Sequence, residues 1–151
     1  MEKKIDEQNL LSMTVFIKKA WNLPDTDIKS YSGLTLAYIG DAIYELVIRT
    51  YIVEQGNAPV NKLHKQVVKL VKASAQASLY HTIQDMLTEE EEAIYKRGRN
   101  AKSFTSAKNT DIVEYRTATG LEALIGYLYL TGQTVRLLEL IHPVLDLVSF
   151  S

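Results

Sequence analysis

Apolar residues recur mostly at every third or fourth position of this chain, which is the spacing of amphipathic helices and not the alternation of strands. Short polar segments containing glycine or proline divide the pattern into separate runs. We therefore predict an all-α fold of about seven helices, over residues 10–21, 33–54, 60–72, 74–86, 88–98, 111–130 and 134–147.

Local signals support several of these boundaries. Pro59 suits the first turn of the third helix, because its ring fixes φ and it has no N–H to leave unpaired. Thr88 and Glu91 match a capping box, which makes the acidic run 89–92 the first turn of a helix. Residues 98–110 are polar and basic with poor periodicity, so they predict a loop or a loosely held helix end. The apolar spacing within 134–147 predicts one plain amphipathic helix.

Length and composition are those of one globular domain. The chain has 151 residues, 46% of them hydrophobic and 23% charged. We expect residues 1–31 to form an extension whose helix packs on a domain covering 32–151. The absence of cysteine excludes disulfides and thiolate chemistry. No leader pattern opens the chain, and charges interrupt its most apolar stretch, so we expect no membrane segment and a cytoplasmic location.

Two carboxylates lie in helices that are otherwise almost entirely apolar. Asp41 shares one stripe of the second helix with Glu45 and Arg49, at i, i+4 and i+8. Glu122 is the only charge between residues 119 and 130. An ionised carboxylate in a poorly solvated site needs a cation, a metal or a solvated cleft as its partner.

Glycines beside these carboxylates suggest that the two helices cross there. Gly40 precedes Asp41, while Gly120 and Gly126 flank Glu122, and glycine in a helix interior costs about 1 kcal/mol. Close approach of the backbones would explain that cost and would join the carboxylates into a site for a divalent cation. The pattern alone equally allows simple ion pairs and backbone hydrogen bonds.

The segments 36–46 and 119–126 together resemble the two catalytic helices of the ribonuclease III family, in the same order and some eighty residues apart. The likeness covers roughly residues 32–147. The length, with no double-stranded-RNA-binding domain, resembles the subfamily called Mini-ribonuclease III. The resemblance implies a ribonuclease III-type helical endonuclease domain in which Asp41 and Glu122 are the catalytic, Mg²⁺-binding residues.

The likeness departs from the full-length enzymes at two positions. Ala37 and Thr119 stand where those enzymes usually carry acidic residues, a reduction that the small subfamily is understood to share. The number of metal ions therefore stays open. Glu45, Asp111 and Thr119 are candidates for supporting the site from its periphery.

The resemblance also implies a substrate, products and an assembly. These are double-stranded or structured RNA, 5′-phosphate and 3′-hydroxyl ends, and a homodimer that cuts both strands. The usual role of the family would be maturation of the large-subunit (23S) ribosomal RNA precursor. Tyr38 and Tyr44 could contribute to a dimer interface, but core packing is the favoured prediction for both. The alternatives are a catalytically silent RNA-binding module of the same fold and a helical scaffold without an RNA role.

The basic residues are concentrated in two places although the net charge is only −1. Duplex RNA is bound mostly through its phosphates and 2′-hydroxyls, which favours flexible basic side chains. We predict that RNA contacts come from Lys62, Lys65 and Lys69 of one helix and from Lys96, Arg97, Arg99, Asn100, Lys102 and Lys108. A solvated basic surface with no ligand is the other interpretation.

Overall fold

The computed structural model describes residues 13–101 and 111–147, and within those residues it contains helices and turns but no strand. Seven helices have eight or more residues and an eighth is a single turn. They are α1 Met13–Ala20, α2 Gly33–Val53, α3 Val60–Val71, α4 Ala73–Ile83, α5 Glu89–Arg99, α6 Asp111–Leu130, α7 Thr134–Ile141 and α8 Val144–Leu147. Short 3₁₀ turns precede α2 and follow α4. The all-α prediction is confirmed.

Helix α6 is the central element of the fold. Half of its twenty residues are buried, and it packs against α2 most extensively and then against α5 and α4. Leu121, Leu124 and Leu128 of α6 meet Leu36 and Ile48 of α2 in the main core. The two helices that carry the predicted carboxylates are therefore the most closely associated pair in the described part of the molecule.

Side-chain caps begin the helices that frame the site. The Ser32 hydroxyl accepts a hydrogen bond from the Thr35 N–H at 3.1 Å and starts α2. Thr88 and Glu91 form the predicted capping box at the start of α5, with both reciprocal hydrogen bonds present. Glu91 is also buried against Arg136 of α7, so the same residue joins two helices.

Two predictions about these helices are wrong. The segment 134–147 is not one helix, because Pro143 cannot donate a backbone hydrogen bond and its ring clashes with the preceding turn. Tyr38 is not a core residue, since 83% of it is exposed, whereas Tyr44 is fully buried as predicted. Helix α2 thus buries one face and presents the other to solvent, which its nearly continuous apolar sequence conceals.

No helix in residues 13–101 or 111–147 combines the length and apolar character needed to span a membrane.

Candidate active site

The α2 and α6 backbones touch at two glycines. A Cβ added to Gly40 would overlap the backbone carbonyl of Glu122, and one added to Gly126 would overlap the backbone carbonyl of Leu36. Neither overlap could be relieved by moving a flexible side chain, because both obstacles are backbone atoms. The predicted crossing is therefore confirmed for Gly40 and Gly126. Gly120 serves a different contact, since its α-carbon lies against the ring of Tyr95 on α5.

This crossing brings the carboxyl groups of Asp41 and Glu122 into hydrogen-bond contact. Asp41 lies on the solvent-facing side of α2, whereas Glu122 is largely buried among the helices. Burial is the main cause that raises the pKa of Glu122 to about 8, and the hydrogen bond and negative charge of Asp41 raise it further. Without a cation, the pair therefore holds a proton on Glu122 at neutral pH.

Two buried polar side chains lie near Glu122: Gln76, a site residue that sequence reasoning missed, contacts it, whereas Tyr44 bonds to the end of α3. Gln76 of α4 directs its amide Nε2 to Glu122 Oε2 at 3.5 Å and to the Val71 carbonyl at 3.0 Å. The Tyr44 hydroxyl donates to the Leu70 carbonyl at 2.7 Å, and burial with the nearby charge of Glu122 raises its pKa. The sequence signal for Gln76 was an amide between two alanines of a helix, which no spacing rule connects to Glu122.

The three peripheral candidates lie in different surroundings. Glu45 forms an ion pair with Arg49 along α2. The Thr119 hydroxyl donates to the Tyr115 carbonyl of its own helix at 3.0 Å. Asp111 is exposed at the first turn of α6, eleven residues from Glu122, which is about 16 Å along the helix axis. The structure does not bring Asp111 to the carboxylate pair.

The carboxylates at the α2–α6 crossing are the candidate ligands for a divalent cation. Among the described residues, no group of three or more histidine, aspartate or glutamate side chains could hold a metal ion. What the crossing offers is a pair of carboxylates. Mg²⁺ is commonly bound by one or two carboxylates together with waters and substrate phosphate oxygens, so Asp41 and Glu122 fit its needs.

The residues predicted to contact RNA differ in how available they are. Lys62 and Lys65 are exposed on α3, and Lys69 on the same face is half-buried. Lys96 is exposed on α5, whereas Arg97 donates hydrogen bonds to the carbonyls of Lys29 and Tyr31. Of the four remaining candidates, Arg99 lies over the Tyr95 ring and donates to the side chain of Asn100, which is exposed. Lys102 and Lys108 lie outside the described residues.

Comparison with known proteins decides the family. Residues 34–133 match the ribonuclease III domain family. A Mini-ribonuclease 3 from Enterococcus faecalis is 57% identical over 118 residues, which are 77% of this chain and 89% of that protein. The chain belongs to the Mini-ribonuclease III family. A second Mini-ribonuclease 3, from Thermoanaerobacter sp., is 52% identical over 87% of this chain and 92% of its own length.

A solved structure agrees with the fold. The crystal structure of a Fusobacterium nucleatum protein superimposes with a TM-score of 0.71 at 39% identity, covering 81% of this chain and 98% of the other. As a Mini-ribonuclease III, the protein is an endoribonuclease, a hydrolase of the phosphodiester bonds of structured RNA. The matched domain contains both Asp41 and Glu122.

Proposed function

We propose that the protein is a Mg²⁺-dependent endoribonuclease that cuts double-stranded RNA at the carboxylate pair of Asp41 and Glu122. The observation that carries this proposal is the contact of these two carboxyl groups at a helix crossing that is otherwise apolar. By likeness to the family, the products carry 5′-phosphate and 3′-hydroxyl ends. The proposed substrate is the large-subunit (23S) ribosomal RNA precursor, processed in the cytoplasm.

Asp41 and Glu122 are the residues that would hold the metal. Bound there, Mg²⁺ would neutralise the phosphate, lower the pKa of a coordinated water and stabilise the leaving oxygen. Asp41 faces solvent, so it lies on the side from which a phosphodiester can approach. Glu122 would have to release its proton to hold the cation, because its pKa is about 8 in the metal-free protein. Metal affinity should therefore rise as the pH approaches 8.

The exposed side of α2 also supports a homodimer. Leu34 and Tyr38 are exposed by 41% and 83%, and they lie one helical turn apart on the face that continues to Asp41. A second copy of the chain is the occupant that we propose for this apolar face. Two-fold pairing would place two carboxylate sites against the opposite strands of an RNA duplex, whose backbones are themselves related by an approximate two-fold axis.

The basic side chains on α3 and at the end of α5 are the proposed RNA contacts. Lys62, Lys65 and Lys96 are exposed and can reach phosphates. Arg97 has a structural role instead, because its hydrogen bonds to two backbone carbonyls hold α5 against the turn before α2. We therefore assign RNA binding mainly to the lysines.

A catalytically silent RNA-binding module of the same fold is the second candidate function. Such a module would need the basic surface but would have no reason to keep a buried carboxylate beside another at a cost in stability. The carboxylate pair therefore favours the enzyme.

The deciding experiment is the substitution Asp41→Asn, assayed on a long RNA duplex with Mg²⁺ and with chelator. Asn keeps the size of the side chain but weakens cation binding, so we expect cleavage to fall by at least about 1,000-fold while salt-sensitive RNA binding is retained. Asp146→Asn, an exposed aspartate on α8, is the matched control and should cut at the wild-type rate. Metal-dependent cutting by Asp41→Asn would show that the site is misplaced.

A further inference from the structure

Gln76 is a buried amide in direct contact with the proposed metal site. Only 3% of the residue is exposed, and its Nε2 lies 3.0 Å from the Val71 carbonyl and 3.5 Å from Glu122 Oε2. Its Oε1 is buried without a hydrogen-bond partner among the described residues. The contacts of this side chain thus lie almost entirely on its donor side.

The orientation of the amide is dictated by its neighbours. The Val71 carbonyl can only accept a hydrogen bond, so an amide turned by 180° would present an oxygen to it, whereas the observed orientation directs Nε2 to both Val71 and Glu122. The Val71 carbonyl belongs to the last turn of α3, where the helix can no longer supply it with a backbone donor. The end of α3 therefore anchors Gln76, and the second N–H of the same amide is directed at Glu122.

We propose that Gln76 is a positioning residue that holds the Glu122 carboxylate in the orientation needed to bind the divalent cation. This inference rests on the proposed function of the Asp41–Glu122 pair. Asp41 approaches Glu122 from α2 and Gln76 approaches it from α4, so the carboxylate is held from two helices.

In a purely structural role, Gln76 would only donate a hydrogen bond to the Val71 carbonyl at the end of α3. Tyr44 offers a matched comparison. The Tyr44 hydroxyl donates to the carbonyl of Leu70, one residue before the carbonyl that Gln76 contacts. Tyr44→Phe therefore removes a buried hydrogen bond to the same helix end without removing a donor to Glu122. A positioning role predicts that Gln76 and Tyr44 variants differ in metal binding.

The test measures Mn²⁺ binding by the purified full chain without RNA. Binding is monitored as the loss of the electron paramagnetic resonance signal of free Mn²⁺. Loss of a hydrogen-bonding partner of a metal ligand typically weakens metal binding about 10–100-fold, and we expect that range for Gln76→Met. Tyr44→Phe should bind Mn²⁺ within about twofold of wild type. In cleavage assays, Gln76→Met should need more metal, should recover its rate at saturating Mn²⁺ and should keep the wild-type KM for RNA.

Two results would overturn the proposal: wild-type Mn²⁺ affinity in Gln76→Met, or a rate defect that saturating Mn²⁺ leaves unchanged. Circular dichroism establishes whether each variant is folded, and Gln76→Leu, which also lacks a donor, replaces Gln76→Met if the latter does not fold. Asp41→Asn, measured alongside, distinguishes failure of the proposed function from failure of the proposed role of Gln76. If Asp41→Asn also binds and cuts normally, the proposed function fails, whereas a defect in Asp41→Asn alone rejects only the role of Gln76.

Discussion

At the scale of single residues, Glu122 is a carboxylic acid kept where its charge is unfavourable. Burial and the neighbouring Asp41 both oppose its ionisation, while Gln76 is the one group that favours it. The side chain is stable in the metal-free fold as an acid and is useful in the proposed chemistry only as a carboxylate. The residue that would bind the metal should therefore also make the protein sensitive to pH.

Because the fold favours the protonated form of Glu122, the free energy of unfolding of the metal-free protein should depend on pH. Because the pKa of Glu122 rises from 4.5 to about 8 on folding, the folded state binds more protons between those values. The contribution of Glu122 to the free energy of unfolding is thus fully present below pH 4.5 and is lost as the pH rises through about 8. Glu122→Gln cannot ionise, so it should be more stable than wild type at about pH 8.5 by on the order of 2 kcal/mol.

Urea unfolding in chelator at about pH 6 and about pH 8.5 measures this difference. Glu54→Gln, which changes an exposed glutamate at the end of α2, should show no comparable gain. Equal stability of Glu122→Gln and wild type at the higher pH would mean that Glu122 is better solvated than its position suggests.

At the scale of helices, the α2–α6 crossing sets the distance between the two carboxylates. Gly40 immediately precedes Asp41, and the atom that excludes a Cβ from Gly40 is the carbonyl oxygen of Glu122 itself. The backbone contact and the carboxylate contact therefore belong to the same turn of each helix. A change that forces the helices apart should weaken both.

Gly40→Ala tests this coupling. Alanine is favoured over glycine in a helix by about 1 kcal/mol, yet the overlap with backbone should make the variant less stable by about 1–3 kcal/mol. The same displacement should weaken Mn²⁺ binding. Ala42→Gly, an exposed change two residues along α2, is the control and should lose only about 1 kcal/mol of stability, with metal affinity retained. A Gly40→Ala variant as stable as wild type would mean that the helices can separate freely.

Helix boundaries were largely predictable because their signals are local. The Thr88–Glu91 capping box and the end of α6 at Leu130 depend on residues a few positions apart, and the structure has them as predicted. Helix partners were less predictable because neighbouring glycines look alike in sequence. Gly126 faces α2, whereas Gly120 faces Tyr95 of α5. Gln76 was missed because its contact with Glu122 spans 46 positions and no local pattern in the sequence marks it.

Exposure was the hardest property to predict within α2. Core packing was the favoured prediction for Tyr38, but the structure buries one face of α2 and leaves Tyr38 in solvent. A surface that is apolar and exposed in a single chain has the same composition as a core, so residue types alone cannot separate the two. The Asp41–Glu122 pairing was predictable only with the family resemblance, because charges in apolar helices alone equally allow ion pairs and backbone hydrogen bonds.

At the scale of the whole molecule, the exposed face of α2 leads to a prediction about assembly. Tyr38→Asp places a charge in the proposed apolar contact, so sedimentation velocity should show a shift from dimer to monomer at micromolar concentration. Val135→Asp adds the same charge at a similarly exposed residue of α7 and should leave the assembly unchanged. A wild-type protein that sediments as a monomer would reject the dimer.

The tight helix crossing also separates the residues that could change substrate preference from those that could not. A side chain added at Gly40 or Gly126 would overlap the backbone of the facing helix, so these two positions tolerate few variants. The exposed lysines of α3 and α5 have no such steric restraint and lie on other elements. In the proposed function, changes of RNA preference can therefore come from the surface lysines without altering the carboxylate pair. A library designed for new RNA specificity should vary those lysines and leave the crossing intact.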